Sequence, residues 1–428
     1  MRRLVTIKVK SIILLVLVLG LLILAGGCWN RREINDLAMV SAAGMDYIDG
    51  RYRVTAEIFR PGMPGGGRGG VPGRQSIIAT GEGPTVFSAI RNLALKVPRR
   101  TYWAHGNVVV VGEDLARRGM EEVIDFWDRD PEARRSSYFL ITQGQAADLI
   151  VRPQAGIERS LGREIAGLAK TSRSAGYSYV STLHHFLVTM ASGSTAPTLA
   201  IVEFSPQMQP PPPPGGAAPA GGGSGEGSTV SADSMLGVIK DEPVLTQTVR
   251  VSGVGVFRQD KMIGQLNARE TRGMMWVRGL TSVNNTLRVE CPAFSPAPVT
   301  LEVIRSRPKV VAKVIGGRPQ VKVEIKAEGN LVDQGCADDL TVWNLWGNLE
   351  QQGANVIRGE ILEAVRKAQE LRADVFGFGE ALHRSQPKVW AQIKQHWEDE
   401  FSLLPVEVEV EFKLRRSGLD LRGPGRGP

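Results

Sequence analysis

The chain has 428 residues, 42% of them apolar and 22% charged, which suits two or three folded bodies better than one. The formal charge is +8, but Arg2, Arg3, Lys8 and Lys10 fall in the first ten residues, and without them the rest carries only about +4. No basic stripe is interleaved with aromatics, which excludes a nucleic-acid-binding surface.

The four N-terminal cations precede an uncharged apolar run at residues 11–24 and then Ala25-Gly26-Gly27-Cys28. A basic start, a short apolar core and small residues at its end describe an export leader over residues 1–27. The run is shorter than the ~20 residues that cross a bilayer. Leu24-Ala25-Gly26-Gly27-Cys28 resembles the lipobox of bacterial lipoproteins, in which the cysteine sulfur receives a diacylglyceryl group and becomes the new, N-acylated terminus. The alternatives are an ordinary thiol at the end of an uncleaved anchor, or simple secretion after cleavage near Gly27. All three put the body of the protein outside the cytoplasm. Cys291 and Cys336, the two cysteines left there, are candidates for one disulfide, against two separate buried thiols.

The first folded segment is residues 28–205. Residues 36–47 read as a strand, Asp49-Gly50 as a hairpin turn, and Tyr52, Val54, Ala56 and Ile58 as the apolar face of a half-buried return strand. A glycine-rich loop at 61–73 leads to a short strand at 76–81. Gly83-Pro84-Thr85 opens a helix with Phe87, Ile90, Leu93 and Ala94 on one face. The continuous apolar runs at 107–111 and 138–142 predict strands buried on both faces. Helices are expected at 113–127, broken near Gly119, and at 145–151, 157–169 and 180–190, before a strand at 198–204.

Residues 206–235 read as a linker: Pro210 to Pro214 favour extended polyproline, and the Gly/Ala/Ser run after them is flexible. The second segment, 236–419, opens with a hairpin over 248–266 and a helix at 268–278. Strands follow at 299–304, 309–315 and 320–331; in the last, Val321, Val323, Ile325 and Ala327 alternate with charged residues, giving one dry face and one wet face. A long helical pattern covers 340–371, where Gly347, Gly353 and Gly359 predict a kink or break. Phe376-Gly377-Phe378-Gly379 forms a turn, helices at 380–383 and 388–401 flank Pro387, and 406–414 alternates as a final strand before a basic, glycine-rich tail at 420–428. The fold class is α+β, multidomain, with mixed and antiparallel sheets, packed helices and two main lobes joined by the Pro/Gly-rich linker.

Catalytic and cofactor motifs do not appear. Gly377 and Gly379 lack the third glycine of a dinucleotide loop, Leu382 standing there, and Ser224 lies in low-complexity sequence rather than a nucleophile elbow. His105, His184, His185, His383 and His396 have no metal-ligand spacing. Trp343, Trp346, Trp390 and Trp397 gather near Phe376 and Phe378; the expected role is a helical core on the sheet, the alternative a patch facing a partner. No catalytic residue, metal or cofactor is expected.

Several stretches carry a family resemblance. Cys28-Trp29-Asn30-Arg31-Arg32-Glu33-Ile34-Asn35-Asp36-Leu37-Ala38, directly after a lipobox, is similar to the start of the Ger(x)C family of spore-germination lipoproteins. The likeness continues through Gly81-Glu82-Gly83-Pro84-Thr85-Val86-Phe87, Ala89-Ile90-Arg91-Asn92-Leu93, Pro98-Arg99-Arg100-Thr101-Tyr102-Trp103-Ala104-His105 and Asp125-Phe126-Trp127-Asp128-Arg129-Asp130-Pro131-Glu132. It returns at Gly255-Val256-Phe257, Glu270-Thr271-Arg272-Gly273 and Asp374-Val375-Phe376-Gly377-Phe378-Gly379-Glu380-Ala381-Leu382-His383-Arg384. The resemblance implies the C subunit of a nutrient germinant receptor. Such a subunit is held by lipid on the outer face of the spore inner membrane and assembles with membrane-embedded A-type and B-type subunits. It implies a multidomain α+β fold without established catalytic residues, and Cys28 as the lipidated position; whether this subunit touches the germinant stays open. The competing readings are a solute-binding lipoprotein of a transporter, which needs two lobes around a cleft, and a lipid-anchored cell-wall hydrolase, which needs paired carboxylates in a groove.

Overall fold

The computed structural model describes residues 14–17, 36–59, 76–152, 157–158, 160–176, 178–205, 248–281, 285–292, 297–336, 339–340 and 342–417. Cys28, the glycine-rich stretch 61–73, the expected linker 206–235 and the tail 420–428 lie outside them, as does the side chain of Trp343.

β1 (Leu37–Ile48) turns into β2 (Arg51–Phe59) through Asp49 and Gly50, both at positive φ (51° and 79°), the tight hairpin that Asp-Gly favours. β3 (Ser76–Gly83) extends the sheet on one side. On the other, β5 (Val108–Gly112), β6 (Tyr138–Thr142) and β8 (Thr198–Phe204) run parallel to β1 or to one another, with short β4 (Arg100–Tyr102) beside the start of β1 and β7 (Ser181–Thr182) beside β6. Parallel strands need crossover helices, and those helices cover both faces. α1 (Val86–Ala94), α2 (Glu113–Arg118), α3 (Glu121–Arg129) and α6 (Leu183–Ser192) pack on the face bearing Val109 and Val111. α4 (Ala146–Val151) and α5 (Leu161–Ala175) pack on the face bearing Val108 and Val110. Hence the unbroken Val108-Val109-Val110-Val111 run.

Two local expectations change. β2 is not half-buried in its second half, because the start of α5 covers its polar face and Thr55 and Glu57 are fully enclosed. Phe87 does not share the buried face of α1, which is Val86, Ala89, Ile90 and Leu93; it stands 52% exposed.

The sheet also crosses the sequence boundary. β9 (Val249–Arg258) pairs antiparallel with β8, and β10 (Lys261–Leu266) completes the ten-stranded order β10-β9-β8-β6-β5-β1-β2-β3 with β4 and β7 at its side. The hairpin assigned by sequence to the second segment therefore finishes the first sheet. Its alternation fits either sheet; only the unpaired edge of β8 decides.

The second sheet is β11 (Asn285–Glu290), β12 (Pro298–Ile315), β13 (Arg318–Gln334) and β14 (Val406–Arg416), antiparallel except for β13 with β14. β11 is an addition to the sequence reading. β12 is one strand rather than two: Pro308 lies beyond the last β11 pair at Val303, where an edge strand tolerates a residue without an N–H. One face carries α7 (Ala268–Arg278), α8 (Trp343–Glu370), α9 (Phe378–Ser385), α10 (Pro387–Ile393) and α11 (Trp397–Ser402); the other is a solvated charge ladder in which Lys322 meets Glu409 at 2.5 Å and Lys309 meets Glu324 at 3.1 Å. α8 runs 28 residues without the expected break. Gly353 admits the Phe412 ring, whose Cδ1 would lie 2.7 Å from an added Cβ, so that glycine serves packing instead of interrupting the helix. Trp390, Trp397, Phe376 and Phe378 are buried in this core.

Candidate functional site

The buried charges are consumed by the fold. The Asp46 carboxylate accepts from the amides of Ala146 (2.7 Å) and Ala147 (2.9 Å) at the start of α4. Burial pushes it above the usual carboxylate range, against the pull of those donors. Glu57 accepts from Leu161 and Gly162 at the start of α5, both at 3.0 Å, and from the Ser41 and Ser76 hydroxyls. Asp374 accepts from the amides of Phe376, Gly377 and Gly379 and from the Trp397 indole at 2.7–3.2 Å, and burial raises its pKa too. Arg272 and Glu360 form a buried ion pair between α7 and α8, with Trp276 Nε1 donating to Glu360 at 2.9 Å and Arg272 to the Thr286 carbonyl at 3.1 Å. The Glu270-Thr271-Arg272-Gly273 and Asp374-to-Arg384 stretches are thus clasps of helix against helix and turn against helix.

The two sheets meet along a filled junction. Tyr179, from the first segment, is buried in the second core, and the Ala196 amide donates to the Asp374 carbonyl at 2.7 Å. The cavity left there is about 70 Å³. Cys291, just after β11, and Cys336, just after β13, form a disulfide with Cα atoms 6.2 Å apart. His105 stacks edgewise on Tyr102 and His383 lies on Trp390. Among the described residues no three His, Cys, Asp or Glu side chains gather to hold a metal, and no helix is long and apolar enough to cross a membrane.

Among the described residues a cavity of about 850 Å³ opens between α7, α8 and β11, and one of about 460 Å³ between β1 and α5. A third opening, lined by aromatic rings, is a groove between α1 and α3. Its foundation is rigid. Thr85 and Ser88 cap α1 reciprocally, Ser88 N to Thr85 Oγ1 at 3.1 Å and Thr85 N to Ser88 Oγ at 3.0 Å. α1 lies directly on β3, since a Cβ on Gly81 or Gly83 would overlap its backbone. Behind α3, Trp127 meets Trp103, Phe126 and Phe139 edge-on at 5.0–6.0 Å. Asp130 holds the exit of α3 through the amides of Glu132 (2.8 Å) and Ala133 (3.2 Å), and Arg100 reaches Glu132 at 2.7 Å. On this base Phe87 and Phe126 face each other 6.4 Å apart, with Arg91 5.0 Å over the Phe87 ring.

The groove has two lobes that share Phe87, Phe126, Asp130 and Pro131. The larger, about 820 Å³, is rimmed by Glu121, Glu122 and Asp125; the smaller, about 260 Å³, by Arg91, Arg99 and Arg100. Glu122 is engaged by Tyr52, whose hydroxyl is pushed up to about 12 by burial first and then by that hydrogen bond. Both lobes are lined by aromatic and charged side chains. The four family-like stretches from Gly81 to Glu132 all converge on it, which sequence spacing does not reveal. Sequence spacing sets Phe87 on one face with Ile90 and Ala94, and its exposure emerges only in the folded chain.

The described residues thus form an α+β body whose polar motifs clasp helices and which carries an aromatic groove with charged rims. Residues 30–204 match the family described as "Spore germination protein N-terminal domain", and residues 252–418 that described as "Spore germination B3/ GerAC like, C-terminal". Spore germination protein KC of Bacillus subtilis (strain 168) is 27% identical over 422 residues, covering 96% of this chain and 97% of that protein. Spore germination protein B3 of the same organism is 23% identical, covering 92% and 94%. A solved structure, "Crystal Structure of the GerBC protein", aligns over 87% of this chain and 96% of that one, with 18% identity and a TM-score of 0.47. The chain belongs to the Ger(x)C family of spore germination proteins.

Proposed function

We propose that this chain is a lipid-anchored, non-enzymatic subunit of a nutrient germinant receptor. It stands on the outer face of the spore inner membrane and works in assembly with membrane-embedded A-type and B-type subunits. The observation that carries this reading is the end-to-end likeness to spore germination proteins, which spans 96% of this chain and 97% of its KC relative. The leader supports it: Cys28, after Leu24-Ala25-Gly26-Gly27, stands eight positions before the first described residue of the body, Asp36. An S-diacylglyceryl and N-palmitoyl cysteine would hold the body at the membrane, each buried methylene contributing about 0.8 kcal/mol. The filled junction disfavours the solute-binding reading, because two lobes clasped by Asp374 and Tyr179 do not close around a cleft of transportable size.

The test is mass spectrometry of the chain from purified spores together with a Cys28→Ala strain. The expected terminus is Cys28 carrying the acyl masses, and the variant should melt like the parent yet leave the membrane fraction, its spores losing the nutrient response. An unmodified Cys28 with normal germination would overturn the proposal. Export also places Cys291 and Cys336 where a disulfide persists. Peptide mapping without reductant should recover them joined, and reduction should cost about 4 kcal/mol for a closed loop of this length.

A further inference from the structure

We propose that the groove between α1 and α3 is the docking site for a membrane-proximal segment of an integral membrane partner. That segment presents one apolar side chain with a cation on one flank and an anion on the other. The inference rests on the anchoring reading above and adds the surface and the chemistry of the contact.

Three observations carry it. The first is reach. Eight residue steps separate Cys28 from Asp36, so the start of β1 lies within about 29 Å of the lipidated position even when that stretch is fully extended. β4 pairs with the start of β1, Leu37 opposite Arg100, so the Arg99–Arg100 end of the groove is the end nearest the tether. A segment emerging from the bilayer beside the anchor is therefore within reach of the basic end of this groove.

The second is the aromatic pair. Phe87 is 52% exposed on a helix whose register could have buried it, and Phe126 is half-buried opposite. The two rings, 6.4 Å apart and in contact with each other, form an apolar platform on which one side chain of a partner can lie, the kind of anchor that dominates interface energies.

The third is charge. The lobe on the Thr85 side is rimmed by Glu121 and Asp125, with Arg129 already paired to Asp125 at 2.5 Å; the lobe on the Trp103 side is rimmed by Arg91, Arg99 and Arg100, with Glu132 paired to Arg100. The groove is acidic at the far end, basic at the tether end and apolar between. Its complement carries a Lys or Arg toward Glu121, the apolar anchor on the rings, and an Asp or Glu toward Arg91 and Arg99.

The experiment places a photoreactive benzoylphenylalanine at position 87 of the full-length, lipidated chain, irradiates intact spores and sequences the cross-linked peptides. The same probe at position 320, on the solvated face of the second sheet, is the control. The expected product joins position 87 to a peptide bordering a membrane span, with an apolar residue flanked by opposite charges, and position 320 gives no such product. Glu121→Lys with Asp125→Lys should lower the yield at least fivefold while leaving the melting temperature and the membrane-bound amount unchanged. Phe87→Ser, at an exposed position, should weaken co-purification of the same partner if the double variant folds poorly. Absence of a cross-link while the partner still co-purifies overturns the groove and leaves the receptor reading standing. So does a cross-link to a second copy of this chain, or a yield indifferent to the charge reversal. Loss of the unsubstituted chain from the membrane fraction, with no partner recovered, overturns the anchoring reading instead.

Discussion

Glu360 is fully enclosed, and its two oxygens take up the Arg272 guanidinium and the Trp276 indole. Removing one partner of such a pair strands a buried charge, which costs about 3–5 kcal/mol. Glu360→Ala should therefore lower stability by that amount in urea melts, whereas Glu363→Ala, which breaks only the exposed pair with Arg269, should cost at most about 1 kcal/mol. Glu328 lies on the solvated face of the second sheet, where Arg415 and then Arg305 hold its carboxyl down from the ordinary 4.5 to about 2. Because the folded-state value is depressed, its stabilising effect is present above pH 4.5 and is lost as pH falls through 2. A carboxyl titration by NMR should find the Glu328 midpoint near 2 and move it upward in Arg415→Ala, with high salt shrinking the difference. The alternation in β13 and β14 makes the charge ladder legible in sequence. Glu57 and Asp46 look equally solvated there, because the amides that bury them come from about a hundred residues downstream.

At the scale of elements, glycine changes meaning with its neighbour. Gly273 of α7 lies against the Glu360 carbonyl of α8, and an added Cβ would overlap it and come within 2.7 Å of Ala364. Gly347, on the same α8, has open space around it. Gly273→Ala should destabilise by about 1–3 kcal/mol through overpacking. Gly347→Ala should stabilise by up to about 1 kcal/mol through helix propensity alone. Thermal melts of the two single variants, moving in opposite directions, would check this; both moving the same way would refute it. Periodicity made α8, the buried β5 and β6 and the Asp-Gly hairpin readable. The kink was expected from the intrinsic weakness of glycine in a helix, and a weak local preference yields when β14 sets Phe412 into the gap at Gly353. The candidate groove was legible only in pieces: its four stretches were visible as motifs, but their convergence depends on β4 returning beside β1 and on α3 crossing next to α1.

On the scale of the whole molecule, the first sheet is finished by strands encoded after residue 247. Ser205 N donates to Thr248 O at 2.7 Å, so the chain leaves the sheet and re-enters it at one point, while Phe257 of β9 meets Phe186 of α6 edge-on at 5.2 Å inside the first core. Composition marks 206–235 as a boundary, and the matched families divide there too, yet the hydrogen-bonded unit does not. A sequence pattern reports where a core cannot form; it does not report on which side of that gap a strand finds its partner. Two variants separate these ideas. Replacing residues 206–247 with a four-residue Gly/Ser turn should leave the protein folded. With both ends already adjacent, the shorter connection should if anything add about 2 kcal/mol by reducing loop-closure entropy. Ending the chain at residue 205 should instead expose the edge of β8 and the Phe186 side of the core, giving a fragment that binds a hydrophobic dye and shows no cooperative melt. A fragment ending at 205 that melts cooperatively at the temperature of the parent would show that β9 and β10 decorate the first sheet without completing it.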